Sequence, residues 1–317
     1  MKVLFLQTVH TKDDDRIRYH QQMSLVKAGH DCIFASSTKT LKESDSFDIA
    51  ICDTPKAVWQ AKHFLGHSTK IVYDITEWYP SKKNMRNASL LLKPLKWCVL
   101  LLASLYVGCT ADAFLFGEYH KAVPFQRLFP WKRTLDLTYY PSLHYIPAIK
   151  PREITDEVRL FYAGRKTREK GFERVVKVKK KCQEKMPNMH IVLNTLNGVS
   201  FEQFCETITT QDFFLDLRDD DMENTRCLPI KLFYYLAAGR PIVYSDLKAI
   251  RRAVPEVVND SLVKPDDIDS AAQLICHLVT HPEEYEAICI RNRRLAEEKY
   301  NWSQIENKFV EFIEKLQ

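Results

Sequence analysis

Short apolar runs alternate with amphipathic segments along the first half of the chain. The run VLFLQTV (3–9) precedes a helical pattern from Arg16 to Ala28 that ends at Gly29, and CIFASS (32–37) is again strand-like. The same alternation continues through three further apolar runs, FDIAICD (47–53), KIVYDI (70–75) and ADAFLFGE (111–118). Such alternation predicts an α/β fold with a parallel sheet and helices on both of its faces.

The alternation restarts after an irregular, proline-bearing segment, YYPSLHYIPAIKPRE (139–153). Its predicted strands are VRLFYAGR (158–165), HIVLNTL (190–196), DFFLDLR (212–218) and PIVYSD (241–246), with helices near 171–185, 201–209 and 229–238. A chain of 317 residues exceeds the usual limit of one hydrophobic core. We therefore predict two Rossmann-like domains, residues 1–150 and 151–300, that face a central cleft, where open α/β sheets bind ligands.

Composition and charge exclude several classes of protein. Hydrophobic residues make up 45% and charged residues 27% of the chain, as in ordinary globular proteins. The net charge of +5 is mild, and no basic run interleaved with aromatic residues predicts a nucleic-acid partner. The nine cysteines lack any C-x-x-C pair, which indicates reduced, cytosolic thiols. The apolar start lacks a cleavage signal and is interpreted as a buried strand, not a signal peptide.

Neither acids nor histidines have the spacing of a metal site. The acidic runs at 13–15 and 216–221 are interpreted as solvated turns, and the ten histidines form no H-E-x-x-H or similar motif. We therefore expect no metal and no cofactor.

A basic turn follows the first predicted strand of the second domain. In FYAGRKTREKG (161–171) the strand ends at Gly164, and Arg165 and Lys170 precede a helix that starts at Gly171. Two cations beside the amide groups and dipole of a helix N-terminus form an anion site, for which a diphosphate is the natural ligand. A solvated basic turn is the alternative interpretation.

A second candidate segment lies two strand–helix units later. In PIKLFYYLAAG (229–239), Pro229 stands near a helix start and Gly239 just beyond its end, so the first turn should face the cleft. Lys231 and Tyr234 are candidates for contacting a nucleotide. The alternative is that the tyrosines pack in the core with polar tips.

These two segments together resemble the C-terminal domain of retaining GT-B glycosyltransferases, family 4 in particular. The resemblance rests on YAGR-x4-KG and LPIKLF-x-Y-x-AAGRPIV-x-SDL, and in the first half on VHTKDDDRIRYHQQMSLVKAGHD, IVYDITEWYP and ADAFLFGE. The end of the chain, KYNWSQIENKFVEFIEKL, resembles the closing helix of the family, which implies that residues 301–317 return to the first domain. The resemblance spans nearly the whole chain and implies a GT-B fold.

The resemblance also implies roles for individual residues. Arg165 and Lys170 match the pair that binds the donor diphosphate and stabilises the charge of the leaving group, a task that needs no metal. Glu77 matches the acidic residue of the Tyr-Asp-x-x-Glu segment and completes the catalytic set. The donor-binding set is Gly164, Arg165, Lys170, Pro229, Lys231 and Tyr234. The acceptor-side set is His10, Asp15, Arg16 and Thr76.

The sequence departs from the family at three positions. The usual glutamate pair is replaced by Arg226 and Tyr234, and the histidine that contacts the donor sugar is replaced by Thr76. A hydroxyl donates a hydrogen bond but takes no charge at neutral pH. The nearby candidates for the ribose contact are Asp219, Glu223 and Asn224.

A basic segment with an apolar run predicts contact with a membrane. Between residues 81 and 108 the chain carries five cations and no acid, followed by the run Trp97–Val107, which is too short for the roughly 20 residues that span a bilayer. An interfacial helix on anionic lipid fits this pattern, and a buried core helix with a basic flank is the alternative. The predicted membrane contacts are Lys82, Lys83, Arg86, Lys93, Lys96 and Trp97.

The chain is therefore expected to be a glycosyltransferase that moves a sugar, hexosyl or related, from a nucleotide-diphosphate donor to a polysaccharide or lipid-linked acceptor. The resemblance implies retention of configuration, no metal, and a cytoplasmic enzyme peripheral to the inner face of the cell membrane. Two alternatives stay open. A catalytically silent GT-B scaffold in a polysaccharide assembly complex is favoured by the departures, and a GT-B nucleotide-sugar epimerase would need no basic apolar helix.

Overall fold

The chain folds into two compact units. The computed structural model describes residues 1–10, 14–42, 45–85, 88–221 and 224–317, with the side chains of residues 82 and 83 left out. Unit 1 comprises Met1–Tyr139 and Ile305–Gln317, and unit 2 comprises Tyr140–Gln304. Each unit is built around its own parallel sheet, which confirms the predicted α/β class.

In the described part of unit 1, six parallel strands pair in the order β2-β1-β3-β4-β5-β6. They are β1 (Lys2–Leu6), β2 (Asp31–Ala35), β3 (Ile49–Cys52), β4 (Lys70–Ile75), β5 (Ala113–Phe116) and β6 (Arg133–Asp136). The helices of this part are α1 (Met23–Lys27), α2 (Pro55–Phe64), α3 (Lys82–Met85), α4 (Lys93–Thr110) and α5 (Tyr119–Leu128). The segment Arg16–Gln22, ahead of α1, is wound as a π-helix.

The central strands of unit 1 are apolar on both sides because helices cover both faces of the sheet. Leu4 and Leu6 belong to a core that also includes Val58 of α2, Val107 of α4 and Phe125 of α5. Successive side chains of a strand alternate between the faces, so the equally buried neighbours of the two leucines lie on the opposite side. This continuous burial explains the apolar runs of the sequence.

Unit 2 repeats the same design. Its described strands pair in parallel in the order β11-β10-β9-β7-β8 and are β7 (Glu157–Ala163), β8 (His190–Leu196), β9 (Phe213–Asp216), β10 (Ile242–Ser245) and β11 (Leu262–Val263). Its helices are α6 (Phe172–Lys185), α7 (Phe201–Thr209), α8 (Ile230–Ala238), α9 (Lys248–Ala253), α10 (Val258–Ser261), α11 (Ile268–Thr280) and α12 (Pro282–Glu298).

The last helix, α13 (Ser303–Glu314), belongs to unit 1 from Ile305 onward. Its side chains bond to the first strand–helix–strand segment, since Ser24 Oγ donates to Glu306 over 2.9 Å and His30 Nε2 lies 3.0 Å from Glu314. Phe309 and Ile313 of α13 are fully buried.

The strand orders define one position in each sheet where successive strands stop being added on one side and start being added on the other. In unit 1 this position lies between β1 and β3, because β2 pairs on one side of β1 and β3 on the other. In unit 2 it lies between β7 and β9, because β8 pairs on one side of β7 and β9 on the other. Open α/β sheets bind ligands outside the carboxyl ends of the strands at such switch points. The side chains at these two places are therefore the candidates for function.

Candidate functional site

Two glycines shape the loop at the switch point of unit 2. Gly164 follows β7 with φ of 142° and Gly171 precedes α6 with φ of 77°, both in the region that favours glycine. A Cβ atom at Gly171 would lie 1.9 Å from the carbonyl oxygen of Leu217, the residue after β9. The start of α6 is thus pressed directly against the end of the neighbouring strand.

The hydroxyl of Tyr162 contacts the backbone of the loop between these glycines. Its hydroxyl lies 2.8 Å from the carbonyl oxygen of Arg165 and 3.2 Å from that of Lys170, and it can donate to either. Both predicted diphosphate ligands are therefore tied by their backbone to the same buried tyrosine. None of the residues that the structure describes forms an ion pair with the side chain of Arg165 or Lys170.

Lys231 adds a third cation to this place from the first turn of α8, which Pro229 precedes. Its ammonium group donates to the carbonyl oxygen of Ala163 and would lie 3.1 Å from a Cβ atom at Gly164. Burial lowers the pKa of Lys231, the carboxylate of Asp216 opposes that shift, and the charges of Arg218 and Lys170 add to it.

Asp216 and Arg218 complete the cluster and were not identified from the sequence. The guanidinium of Arg218 donates to both carboxylate oxygens of the buried Asp216, over 2.7 and 2.8 Å, and Tyr244 donates to the same carboxylate over 3.1 Å. The sequence did offer a signal for this pair, because Asp216 stands two residues before Arg218 at the end of the predicted strand 212–218. With this carboxylate bonded to Arg218, the cluster of Lys170, Arg218 and Lys231 carries a net positive charge that suits an anion.

Tyr234 lies in an aromatic layer rather than at an open surface. Only 2% of the residue is exposed, and its ring packs edge-on against Phe201 and Phe204 of α7, with centroids 6.0 and 5.5 Å away. Its contact with a nucleotide stays a prediction. Arg226, the other position that departs from the family, is exposed.

The proposed ribose contacts are engaged with other residues where the structure describes them. Asp219 forms an ion pair with Arg174 over 2.6 Å, and the amide of Asn224 donates to Asp221 over 3.2 Å. Glu223 lies outside the described residues.

Asp53 occupies the switch point of unit 1, directly after β3. Its buried carboxylate accepts hydrogen bonds from the backbone N–H groups of Thr8, Val9 and His10 over 2.9 to 3.1 Å. His10 Nδ1 lies 3.1 Å from the same carboxylate. Burial raises the pKa of Asp53, but the hydrogen bonds from His10, Thr8 and Val9 outweigh it and the pKa is lowered. Asp53 therefore organises the whole loop after β1.

This contact also orients the imidazole of His10. A carboxylate only accepts hydrogen bonds, so in the neutral ring Nδ1 carries the hydrogen and Nε2 carries the lone pair. Thr76 lies at the same place, since its hydroxyl is 3.4 Å from the carbonyl oxygen of Asp53. The structure thus brings two of the predicted acceptor-side residues to Asp53, which was not predicted: His10 meets its carboxylate and Thr76 its backbone carbonyl.

The remaining predicted residues of unit 1 serve local contacts. Arg16 bonds to Asp14 over 3.1 Å and its guanidinium lies 4.6 Å above the ring of Tyr139. The carbonyl oxygen of Asp15 accepts from His20 Nδ1 over 2.8 Å. Glu77 accepts from the Asn84 amide over 3.4 Å.

The first half of α4 is exposed, although its residues are mostly apolar. Leu95, Cys98, Leu102 and Cys109 are spaced three, four and seven residues apart, which puts them on one exposed face, and Leu91 just before the helix is 91% exposed. Lys96 and Trp97 are exposed too, and Lys93 is half-buried. Lys82 and Lys83 begin α3, whereas Arg86 lies outside the described residues.

Among the described residues, no helix combines the length and apolar character that crossing a bilayer requires.

Comparison with known proteins gives matches in solved structures alone. No protein-family profile and no curated protein sequence matches the chain. Sucrose-phosphate synthase from Thermosynechococcus elongatus has 11% identity and a TM-score of 0.67, with 99% of this chain and 98% of that chain covered. HepE of Anabaena in complex with UDP-glucose has 11% identity and a TM-score of 0.64, covering 99% and 100%.

TarM of S. aureus matches with 13% identity and a TM-score of 0.58, and the match covers 86% of this chain but only 56% of TarM. At such low identities the likeness establishes the fold. The fold is GT-B, as predicted from the motifs.

Proposed function

We propose that the protein is a glycosyltransferase that takes a hexosyl or related sugar from a nucleoside-diphosphate donor. The observation that carries this proposal is the cation cluster at the switch point of unit 2, where Lys170 and Arg218 lie near enough to Lys231 to lower its pKa and Arg165 directly follows Gly164. The resemblance of this segment to donor sites supports it, and so does the complex of UDP-glucose with HepE, a protein of the same fold.

Catalysis would rest on charge stabilisation. Negative charge grows on the β-phosphate as its bond to the anomeric carbon of the sugar breaks, and preorganised cations stabilise that charge. Arg165 and Lys170 would bind the diphosphate, while Lys231 holds the end of β7 beneath it. Since three cations are present, the proposed reaction needs no metal and no cofactor. The family 4 motifs support retention of configuration at the anomeric carbon.

His10 is proposed to orient the acceptor. Within the described ranges Nε2 of His10 has no hydrogen-bond partner. Because Asp53 accepts from Nδ1–H, the lone pair of the neutral ring is on Nε2 and can accept a hydrogen bond from a sugar hydroxyl. A polysaccharide or lipid-linked saccharide is the proposed acceptor, because the exposed apolar face of α4 lies on the same unit.

We propose that α4 seats the protein on an anionic membrane surface, at the cytoplasmic inner face of the cell membrane. Its leucines and Trp97 would enter the boundary between headgroups and acyl chains, while Lys93 and Lys96 meet anionic headgroups. Vesicle flotation tests this: Leu102→Glu should abolish flotation with anionic vesicles, whereas Leu128→Glu, at an exposed leucine of α5, should not. Equal flotation of both variants would refute the role of α4.

A catalytically silent scaffold is the second candidate, and the burial of Tyr234 at the position of a family glutamate favours it. The test is release of nucleoside diphosphate and transfer of sugar by the purified chain, given a panel of nucleotide sugars and saccharide acceptors.

Turnover that falls at least tenfold in Arg165→Ala, and is unchanged in Lys180→Ala on the exposed face of α6, supports the transferase. Donor binding without turnover identifies the scaffold. Conversion of the donor sugar while it stays attached to the nucleotide identifies an epimerase.

A further inference from the structure

Two histidines and a glutamate converge at the corner between α11 and α12. His277 lies in the last turn of α11, His281 is the single residue between the two helices, and Glu284 lies in the first turn of α12. One nitrogen of each ring and one carboxylate oxygen all lie within 4.8 Å of one another. The two rings stack with centroids 4.0 Å apart, and His277 Nε2 is 2.9 Å from Glu284 Oε2.

The hydrogen bonding of His281 fixes which of its two ring nitrogens can bind a ligand. Its Nδ1 lies 2.8 Å from the carbonyl oxygen of His277. A carbonyl oxygen only accepts, so Nδ1 carries the hydrogen and the lone pair of the neutral ring is at Nε2. Histidines that bind metals usually donate their other ring N–H in this way to a carbonyl or carboxylate, which fixes the tautomer and the orientation of the ring.

The backbone of the corner holds these side chains in place. Pro282 starts α12 immediately after His281, and the N–H of Tyr285 donates to the carbonyl oxygen of His281 over 3.1 Å. The contacts among the three side chains themselves are weak in water, because exposed ion pairs contribute little to stability. All three are exposed, so an ion from solution can reach them.

We propose that His277, His281 and Glu284 bind a divalent transition-metal ion, with Zn²⁺ as the reference ion. Two imidazoles and one carboxylate suit zinc, nickel or copper rather than magnesium or calcium, which prefer oxygen ligands alone. Zinc takes four ligands at about 2.0–2.2 Å, so a water molecule fills the fourth position and the exposed side chains close in from their present separation.

The ion ties together two helices that support the candidate donor site. α11 packs on α6, which Gly171 precedes, and α12 packs on α8, which carries Lys231. None of the three ligands belongs to the cation cluster itself. The site is therefore structural, and it stands or falls independently of the proposed transferase activity.

Calorimetric titration of Zn²⁺ into the full chain, after metal is removed with a chelator, tests the proposal. We expect one site per chain, at least tenfold weaker binding in His281→Ala and in Glu284→Gln, and unchanged binding in His190→Ala, which removes an exposed histidine elsewhere in unit 2. Equal binding by all four proteins, or no binding by the unmodified chain, would overturn it.

Unfolding temperatures measured without and with Zn²⁺ distinguish loss of the metal site from loss of folding in the variants. Without metal, all variants should unfold at the same temperature because the substituted side chains are exposed. With Zn²⁺, the unfolding temperature should rise for the unmodified chain and for His190→Ala but not for Glu284→Gln, because an ion bound only by the folded state stabilises it. A rise of equal size in Glu284→Gln would contradict the assignment.

Discussion

Burial of Lys231 opposes the positive charge that its proposed role requires. Its pKa is lowered by burial and by neighbouring cations, so its proton is held less tightly than that of an ordinary lysine until an anion binds. A bound diphosphate favours the ammonium form and should therefore be accompanied by proton uptake at alkaline pH. Lys231 thus has two roles: it donates a hydrogen bond to the carbonyl oxygen of Ala163 at the end of β7, and its protonation increases when the donor binds.

We predict that nucleoside-diphosphate affinity declines as the pH rises through this lowered pKa, at lower pH than an ordinary lysine would titrate. In Lys231→Met the affinity should fall at least tenfold and lose this alkaline decline, since a charge-assisted contact is worth about 1.5–3 kcal/mol. Calorimetry across a pH series measures both effects. An alkaline decline that persists in Lys231→Met would show that another group is responsible.

Gly171 is predicted to be required for the close contact of α6 with the end of β9. Gly171→Ala should lower the free energy of unfolding by more than about 3 kcal/mol, because it combines positive φ with a clash against the Leu217 carbonyl. Gly198→Ala is the matched control, with φ of 71° and nothing within 4 Å, and should cost about 1 kcal/mol. Urea unfolding measures both, and equal losses would argue against the close packing.

Asp53 is predicted to stabilise the loop after β1 in a pH-dependent manner. Its folded pKa is lowered, so its contribution is fully present above the unfolded value of about 3.9 and is lost as the pH falls through the folded value. Asp53→Asn should cost about 1–3 kcal/mol at neutral pH and progressively less below about pH 4. Urea unfolding at several pH values tests this, and a pH-independent difference would be the contrary result.

At the scale of elements, α8 shows how far a sequence pattern leads. The pattern predicted a helix over 229–238 and the structure has Ile230–Ala238, since a proline before the helix and a glycine after it mark both ends. The pattern could not tell which face of α8 meets solvent. Tyr234 and Tyr235 are both buried because helix α7 and strand β9 pack on α8 from different sides.

Helix α4 carries the element-scale prediction about the membrane. Its exposed face holds Cys98 and Cys109, which act as native reporters of immersion. A water-soluble maleimide should modify both thiols in the free protein and should modify Cys98, beside Leu95 and Leu102, far more slowly when anionic vesicles are present.

Vesicles of neutral lipid alone are the control and should protect Cys98 less, because Lys93 and Lys96 then find no anionic headgroups. Unchanged modification of Cys98 in anionic vesicles would contradict the proposed seating of α4.

In the whole molecule, the sequence predicted the layered α/β design because continuous apolar runs mark strands buried on both faces and helical patterns mark the helices that cover them. β4, β8 and α7 have the predicted bounds, whereas the two-residue β11 and the short, polar-edged β6 were missed. The contact of His10 with Asp53 was missed too, because it joins residues 43 apart through the strand order, which periodicity does not encode. Arg165 and Lys170 could be proposed as anion ligands because loop, cations and helix start are adjacent in sequence, and their role stays a prediction.

The cation cluster of unit 2 is proposed to bind a nucleoside diphosphate, and the assignment of a transferase depends on this binding. Calorimetric titration with uridine, guanosine, adenosine and thymidine diphosphates tests it most directly, using the unmodified chain, Arg165→Ala, Lys170→Ala and the surface control Lys180→Ala. We predict that at least one nucleotide binds, with affinity about tenfold or more weaker in both site variants and unchanged in the control. Failure of all four nucleotides to bind, or equal affinity in every variant, would contradict the claim.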